Sequence, residues 1–127
     1  MEGGQRILIV EDDLVLKDLL GHKLAGTYSL TYASDGEEAL VSLERVHPEL
    51  ILLDLMMPKL DGFGVLERVR ARTDVLKNVP IIVLSNLDQE SDESRARAAG
   101  ANDYLVKANV SVDEIASRVR AILPPSA

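Results

Sequence analysis

Four apolar runs of this chain each close on a group able to do chemistry. "RILIV" (6–10) is followed by Glu11, Asp12 and Asp13, and "LILLD" (50–54) ends in Asp54. "PIIVLS" (80–85) ends in Ser85, and "NDYLVK" (102–107) ends in Lys107. If the runs are strands of an open parallel sheet, these residues gather at its carboxyl edge, where the connecting loops diverge. Singly, each has an ordinary explanation: Asp12 or Asp13 capping a helix, Ser85 capping a loop, Lys107 solvated. Together they pose an electrostatic problem. Two carboxylates about 4 Å apart repel by roughly 4 kcal/mol at an effective dielectric near 20, so several on one edge need compensating cations. Lys107 supplies one charge. A hard divalent ion with a preference for carboxylate, carbonyl and water oxygens supplies the rest, and magnesium, which takes few protein carboxylates and keeps several waters, is the ion expected. Carboxylates, a cation, a hydroxyl and an ammonium on one edge make a receptor for a phosphoryl group, with Asp54 as the nucleophile.

The elements that would position these groups are legible in the hydrophobic pattern. A further short run, "LTYA" (30–33), joins the four above, and helical spacing fills the intervals between the five. The first, third and fourth runs are almost continuously apolar, as strands covered on both faces of a parallel sheet must be. The predicted class is α/β, with five strand–helix units. The helical stripes are Leu16, Leu19, Leu20 and Leu24; Ala39, Leu40 and Leu43; Leu66 and Val69; and Val112, Ile115, Ala116, Val119 and Ile122. The fourth helix, about 88–99, offers only alanines as apolar residues, so it is expected to be the least anchored element and the natural moving part. Gly36, Gly62 and Gly100 punctuate turns or helix ends, where positive φ is cheap for glycine.

A chain of 127 residues fits one domain, here 1–127 with a core of about 6–123 and a short tail at 124–127. No apolar run approaches the roughly 18 residues of a membrane span. The net charge of −7 opposes direct nucleic-acid binding, with "RVRARTDVLK" the one dense basic stretch. Cysteine is absent, which removes disulfides and thiolate zinc sites, and the first residues lack a secretory signature, so a cytoplasmic location is expected. His22 and His47 have no spaced partners and are read as surface residues.

The segments "ILIVEDD", "PELILLDLMMPKLDG", "PIIVLSN" and "AAGANDYLVK", in this order, resemble the receiver domain of bacterial two-component response regulators over about residues 6–123. The resemblance implies a (βα)5 flavodoxin-like, doubly wound sheet in strand order 2-1-3-4-5. It implies that Asp54 is the phosphoacceptor, that Asp12, Asp54 and the Met56 backbone carbonyl ligate Mg²⁺, and that Glu11 acts on the metal through water. Ser85 and Lys107 would each hold a phosphoryl oxygen. Tyr104 would be the switch aromatic, turning inward as Ser85 is drawn to the phosphoryl group; the ordinary alternative is a half-buried strand tyrosine. The implied partners are a histidine kinase or phosphotransfer protein upstream. Downstream, the fourth helix, fifth strand and fifth helix would present a surface to a target protein or a second copy, the signal passing by contact. The activity implied is self-catalysed phosphotransfer with slow autodephosphorylation, not enzymatic turnover.

Two positions depart from the family pattern. Ala108 stands where a proline usually follows the lysine in a cis peptide, a geometry costing roughly 2.5–4 kcal/mol without proline. Asn86 follows Ser85 where a smaller residue is usual, bearing on access to the phosphoryl group and its lifetime. Three other functions each meet an obstacle in the residues. A phosphohydrolase resembling haloacid dehalogenases needs an aspartate two residues after the nucleophile as general acid, and Met56 stands there. A flavodoxin-like nucleotide binder needs a phosphate-cradling first loop, and "EDDLVL" repels phosphate. An interaction module that had lost phosphorylation would lack Asp12, Asp54 or Lys107, and all three are present.

Overall fold

The computed structural model describes residues 5–125. Five strands, β1 (Arg6–Val10), β2 (Ser29–Ala33), β3 (Leu50–Asp54), β4 (Ile81–Ser85) and β5 (Asp103–Val106), form one parallel sheet in the order β2-β1-β3-β4-β5. Helices α1 (Leu14–Leu24), α2 (Gly36–Val46), α3 (Gly62–Arg70), α4 (Glu90–Ala98) and α5 (Val112–Ile122) alternate with them, giving the expected flavodoxin-like topology. Short 3₁₀ turns at Val75–Asn78 and Lys107–Asn109 complete the chain.

Side chains alternate across a strand, so the continuous apolar runs feed two cores. Leu8, Val10, Ile51, Leu53, Ile81 and Val83 face α2 and α3, meeting Ala39, Leu43, Leu66 and Val69. Ile7, Ile9, Leu50, Leu52, Ile82 and Leu84 face α1 and α5, meeting Leu20, Leu24, Ile115, Ala116 and Val119. The register pairs Val10 with Leu53, Asp54 with Leu84, and Ser85 with Val106, which brings the strand ends to a common level. Tyr28 joins the second core and donates its hydroxyl to the Leu123 carbonyl at 2.6 Å, tying the chain before β2 to the end of α5.

Several expectations need correction. Leu19, assigned to the buried stripe of α1, is 46% exposed, as are Leu14 and Val15 to a greater degree; α1 buries only Leu20 and Leu24 fully. β4 begins after Pro80, which has no N–H to give a ladder. β5 stops at Val106, because Lys107 already opens the 3₁₀ turn. Among the described residues no peptide bond is cis, so the Lys107–Ala108 bond is trans. Gly100 has a positive φ of 114°, whereas Gly36 and Gly62 do not; they are helical residues required by close packing. Two of the four cations of the basic stretch are tied within the chain, while Arg68 and Lys77 are exposed. Arg70 donates to the Gly100 and Lys77 carbonyls, and Arg72 pairs with Glu44 and Asp74.

Candidate functional site

Each of β1, β2 and β3 is followed by an aspartate that caps the next helix. Asp13 accepts from the Val15 and Leu16 N–H groups, Asp35 from Glu38, and Asp61 from Gly64. This sorts the acidic run after β1: Asp13 is the cap, and Glu11 and Asp12 are left over. Glu11 is 1% exposed and Asp54 4%, both held at the end of strands whose apolar neighbours are fully buried. Asp12 is exposed at the mouth.

Lys107 reaches back from the end of β5 and bridges the two buried acids. Its Nζ lies 3.0 Å from Glu11 Oε2 and 3.2 Å from Asp54 Oδ2. Asp54 Oδ1 accepts from the Met56 N–H at 3.2 Å, and Glu11 Oε2 accepts from the Asp13 N–H at 3.1 Å. Burial lifts the Glu11 carboxyl above its ordinary value, and the Asp54 charge adds to that lift against the pull of Lys107. Burial opposes the charge on Lys107, yet its hydrogen bond to Glu11 and the charge of Asp54 outweigh burial and raise the ammonium's pKa. One cation therefore serves two buried carboxylates, with Asp12 adding a third.

The residues fit a hard cation. Glu11, Asp12 and Asp54 each present a carboxylate oxygen within 4.8 Å of the others. Two ligands sharing one octahedral ion at 2.0–2.1 Å sit about 3–4 Å apart, so little closure is needed. Glu11 Oε1, although 2.8 Å from Lys107 Nζ, has no aligned hydrogen bond and is buried. That oxygen is ion-paired with Lys107 but keeps lone-pair capacity that a cation could use.

Ser85 is wholly buried, and its Oγ accepts from the Leu87 N–H at 3.0 Å, capping the loop after β4. Tyr104 is not a half-buried strand tyrosine. It is 7% exposed and lies inward, its hydroxyl donating to the Leu87 carbonyl at 2.7 Å. Leu87 is thus held at both ends, its N–H donating to Ser85 and its carbonyl accepting from Tyr104. The Met56 side chain is exposed, and so is Asn86. His22 and His47 are both at the surface.

Sequence reasoning brought Glu11, Asp12, Asp54 and Lys107 to one place correctly. It did not foresee that Lys107 would be the direct partner of Glu11, nor the role of Leu87. The first was readable in kind, since a buried glutamate needs a cation; the second is a backbone contact with no sequence signal.

Residues 7–120 match the response regulator receiver domain family. The chain is 42% identical over 120 residues to a "Probable transcriptional regulator ycf27" of Porphyridium aerugineum, covering 94% of this chain and 48% of that protein. It is 41% identical to the "DNA-binding dual master transcriptional regulator RpaA" of Synechocystis sp., with 93% and 48% covered. The chain spans about half the length of these curated relatives. Among solved structures, the Mn²⁺-bound form of response regulator Rcp1 superposes with a TM-score of 0.82 at 28% identity, covering 96% of this chain and 97% of that one. The expectation of no dealings with nucleic acid finds no support among these relatives, one of which is named as DNA-binding.

Proposed function

The chain belongs to the response regulator receiver family, and we propose that it accepts a phosphoryl group from a protein phosphohistidine onto Asp54. The observation that carries this reading is the Lys107 bridge between Glu11 and Asp54, set beside Asp12, whose carboxylate completes a cluster able to hold a cation. An Asp54 carboxylate oxygen attacks phosphorus in line; a P–O bond forms as the P–N bond to the donor imidazole breaks, and the imidazole leaves with a proton.

Glu11, Asp12 and Asp54, with the Met56 carbonyl, are the groups that would hold Mg²⁺. Bound there, the ion would supply positive charge against the negative oxygens of a transferring phosphoryl group. The Mn²⁺-bound structure of Rcp1 supports a divalent ion in this fold. Lys107 is already desolvated and aimed at Asp54, so it is placed to hold a second phosphoryl oxygen without reorganising. Ser85, whose Oγ accepts from the Leu87 N–H, would donate its hydroxyl hydrogen to a third and draw on the loop that Tyr104 also holds.

The chain would act by population shift in α4, β5 and α5 and not by turnover, because Met56 stands where a hydrolase needs an acid. Its partners would be a cytoplasmic histidine kinase or phosphotransfer protein and a downstream protein or second copy. The names of its relatives favour a target in transcriptional control.

Intact mass after incubation with Mg²⁺ and acetyl phosphate tests the reading. Wild type is expected to gain one phosphate and Asp54→Ala none. An adduct that survives Asp54→Ala, or none with any donor including a kinase, would overturn it; rapid multiple turnover would favour a hydrolase.

A further inference from the structure

Between Asp54 and α3 runs the loop 55–61, which carries the Met56 carbonyl and ends at the cap Asp61. Three glycines from two helices shape the space it occupies. A Cβ at Gly62 would land on the Asp54 carbonyl and the Leu55 backbone. One at Gly36, the first residue of α2, would overlap the Leu60 carbonyl and lie 2.7 Å from its carbonyl carbon and Cβ. One at Gly64 would run into the Leu60 side chain and nothing of its backbone. The loop itself is bent to fit, since Lys59 sits in the left-handed region at φ 65° and its ammonium is 3.7 Å from Asp35, the cap of α2. Leu60 thus lies between α2 and α3, with no space left for a methyl group on either side.

From this socket we infer that Gly36, eighteen positions before Asp54 and touching none of the reacting groups, is a positioning residue for the cation site, acting through the Leu60 backbone. The inference rests on the phosphoacceptor reading above and deepens it. Interiors are close-packed, so a methyl group that displaces the Leu60 carbonyl moves the short loop on which the Met56 carbonyl rides. A metal ligand set is sensitive to such displacement, because geometry outside the ligands themselves commonly changes metal affinity by ten- to a hundredfold. The two glycines facing Leu60 differ in a way that makes the idea testable. The neighbour at Gly64 is the far end of a flexible side chain, which can be removed; the neighbour at Gly36 is a peptide carbonyl, which cannot.

The experiment measures Mg²⁺ and Mn²⁺ affinity by calorimetry, the Mg²⁺ dependence of acetyl phosphate labelling, and thermal stability. The proteins are wild type, Gly36→Ala, Gly64→Ala, and each alanine variant combined with Leu60→Ala. Gly36→Ala is expected to weaken Mg²⁺ binding roughly tenfold. Its labelling rate should recover at saturating Mg²⁺, and Leu60→Ala should not rescue it. Gly64→Ala is expected to weaken binding less and to be rescued by Leu60→Ala. If Gly36→Ala does not fold, the rescue of Gly64→Ala decides, since cation affinity regained with Leu60 truncated can come only through the loop. A folded Gly36→Ala with wild-type Mg²⁺ affinity and a lowered melting temperature would reduce Gly36 to a packing role and overturn the inference. A wild type that takes up neither cation nor phosphate would instead overturn the functional reading, and this one with it.

Discussion

The acid end of β1 and β3 and the α4–β5 side of the same sheet are held by opposite means. Around Asp54 the support is apolar and complete: Val10, Leu52, Leu53, Leu55 and Leu84 are all essentially unexposed, and glycines let the backbones meet. α4 buries a single residue, Ala96. Its remaining ties are polar and near the surface. Arg95 stacks over the Phe63 ring at 3.8 Å from the centroid, and Arg97 pairs with Glu93 and Asp103. Asp103 also pairs with Arg118 of α5 at 2.5 Å. Packing against a core is stiff, whereas exposed ion pairs are worth only about 0–1 kcal/mol each and re-form in new arrangements. The proposed switch would draw on both: a site whose groups do not wander and a neighbouring element that two states could place differently.

The contrast can be broken by experiment. Leu53→Ala, in the stiff half, is expected to lower unfolding free energy by about 3 kcal/mol, as a fully buried leucine lost to a cavity. Urea denaturation checks it, and a loss below about 1 kcal/mol would mean that this half is not close-packed. Lys107→Met, measured in chelator at neutral pH, is expected to cost a similar amount, about 3 kcal/mol, because two buried carboxylates lose their only cation among the described residues. Here the pH dependence has a definite sign. Burial already raises the Glu11 pKa, and removing Lys107 raises it further, so over that window the folded state binds more protons than the unfolded one. Stability of the variant, relative to wild type, should therefore rise as pH falls toward the ordinary glutamate range. A deficit that grew on acidification would contradict the charge assignment.

In the soft half the expected effects are smaller. Arg95→Ala should cost about 1 kcal/mol or less and show itself locally, as faster amide exchange in α4 with the sheet unchanged. Arg97→Ala should cost a few tenths of a kcal/mol, screened further by salt. Uniform loss of protection across β1 and β3 in either variant would erase the distinction between the halves.

The Tyr28 hydroxyl offers one further calibration. Burial raises its pKa, and it donates to the Leu123 carbonyl, so Tyr28→Phe should cost about 1 kcal/mol at neutral pH. Above the unfolded phenol's value near 10 the unfolded state sheds its proton first, so wild type loses stability there and the gap to the variant narrows.

Strand–helix alternation, the α/β class and the edge on which Glu11, Asp12, Asp54, Ser85 and Lys107 meet were all legible in the sequence. They follow from period and from the rule that open α/β sheets work at their carboxyl ends. The failures have physical causes too. Leu19 has the spacing of a core residue but lies beyond the strip that α1 turns to the sheet, because a helical stripe is wider than the contact it makes. Glycine's meaning was misjudged at Gly36 and Gly62. A glycine kept for close approach is indistinguishable, in sequence, from one kept for positive φ, as Gly100 is.

By itself the sequence determined which chemical groups the protein owns and which end of the sheet carries them, since hydrophobic period and chain order are local properties. Only the tertiary structure decided how those groups are shared out: Asp13 to a helix cap, Glu11 to Lys107, Tyr104 to the Leu87 carbonyl, and the loop after Asp54 to a socket built by α2 and α3. Partnership of that kind depends on distances across the fold being met to within a few tenths of an ångström, and no pattern along the chain encodes them.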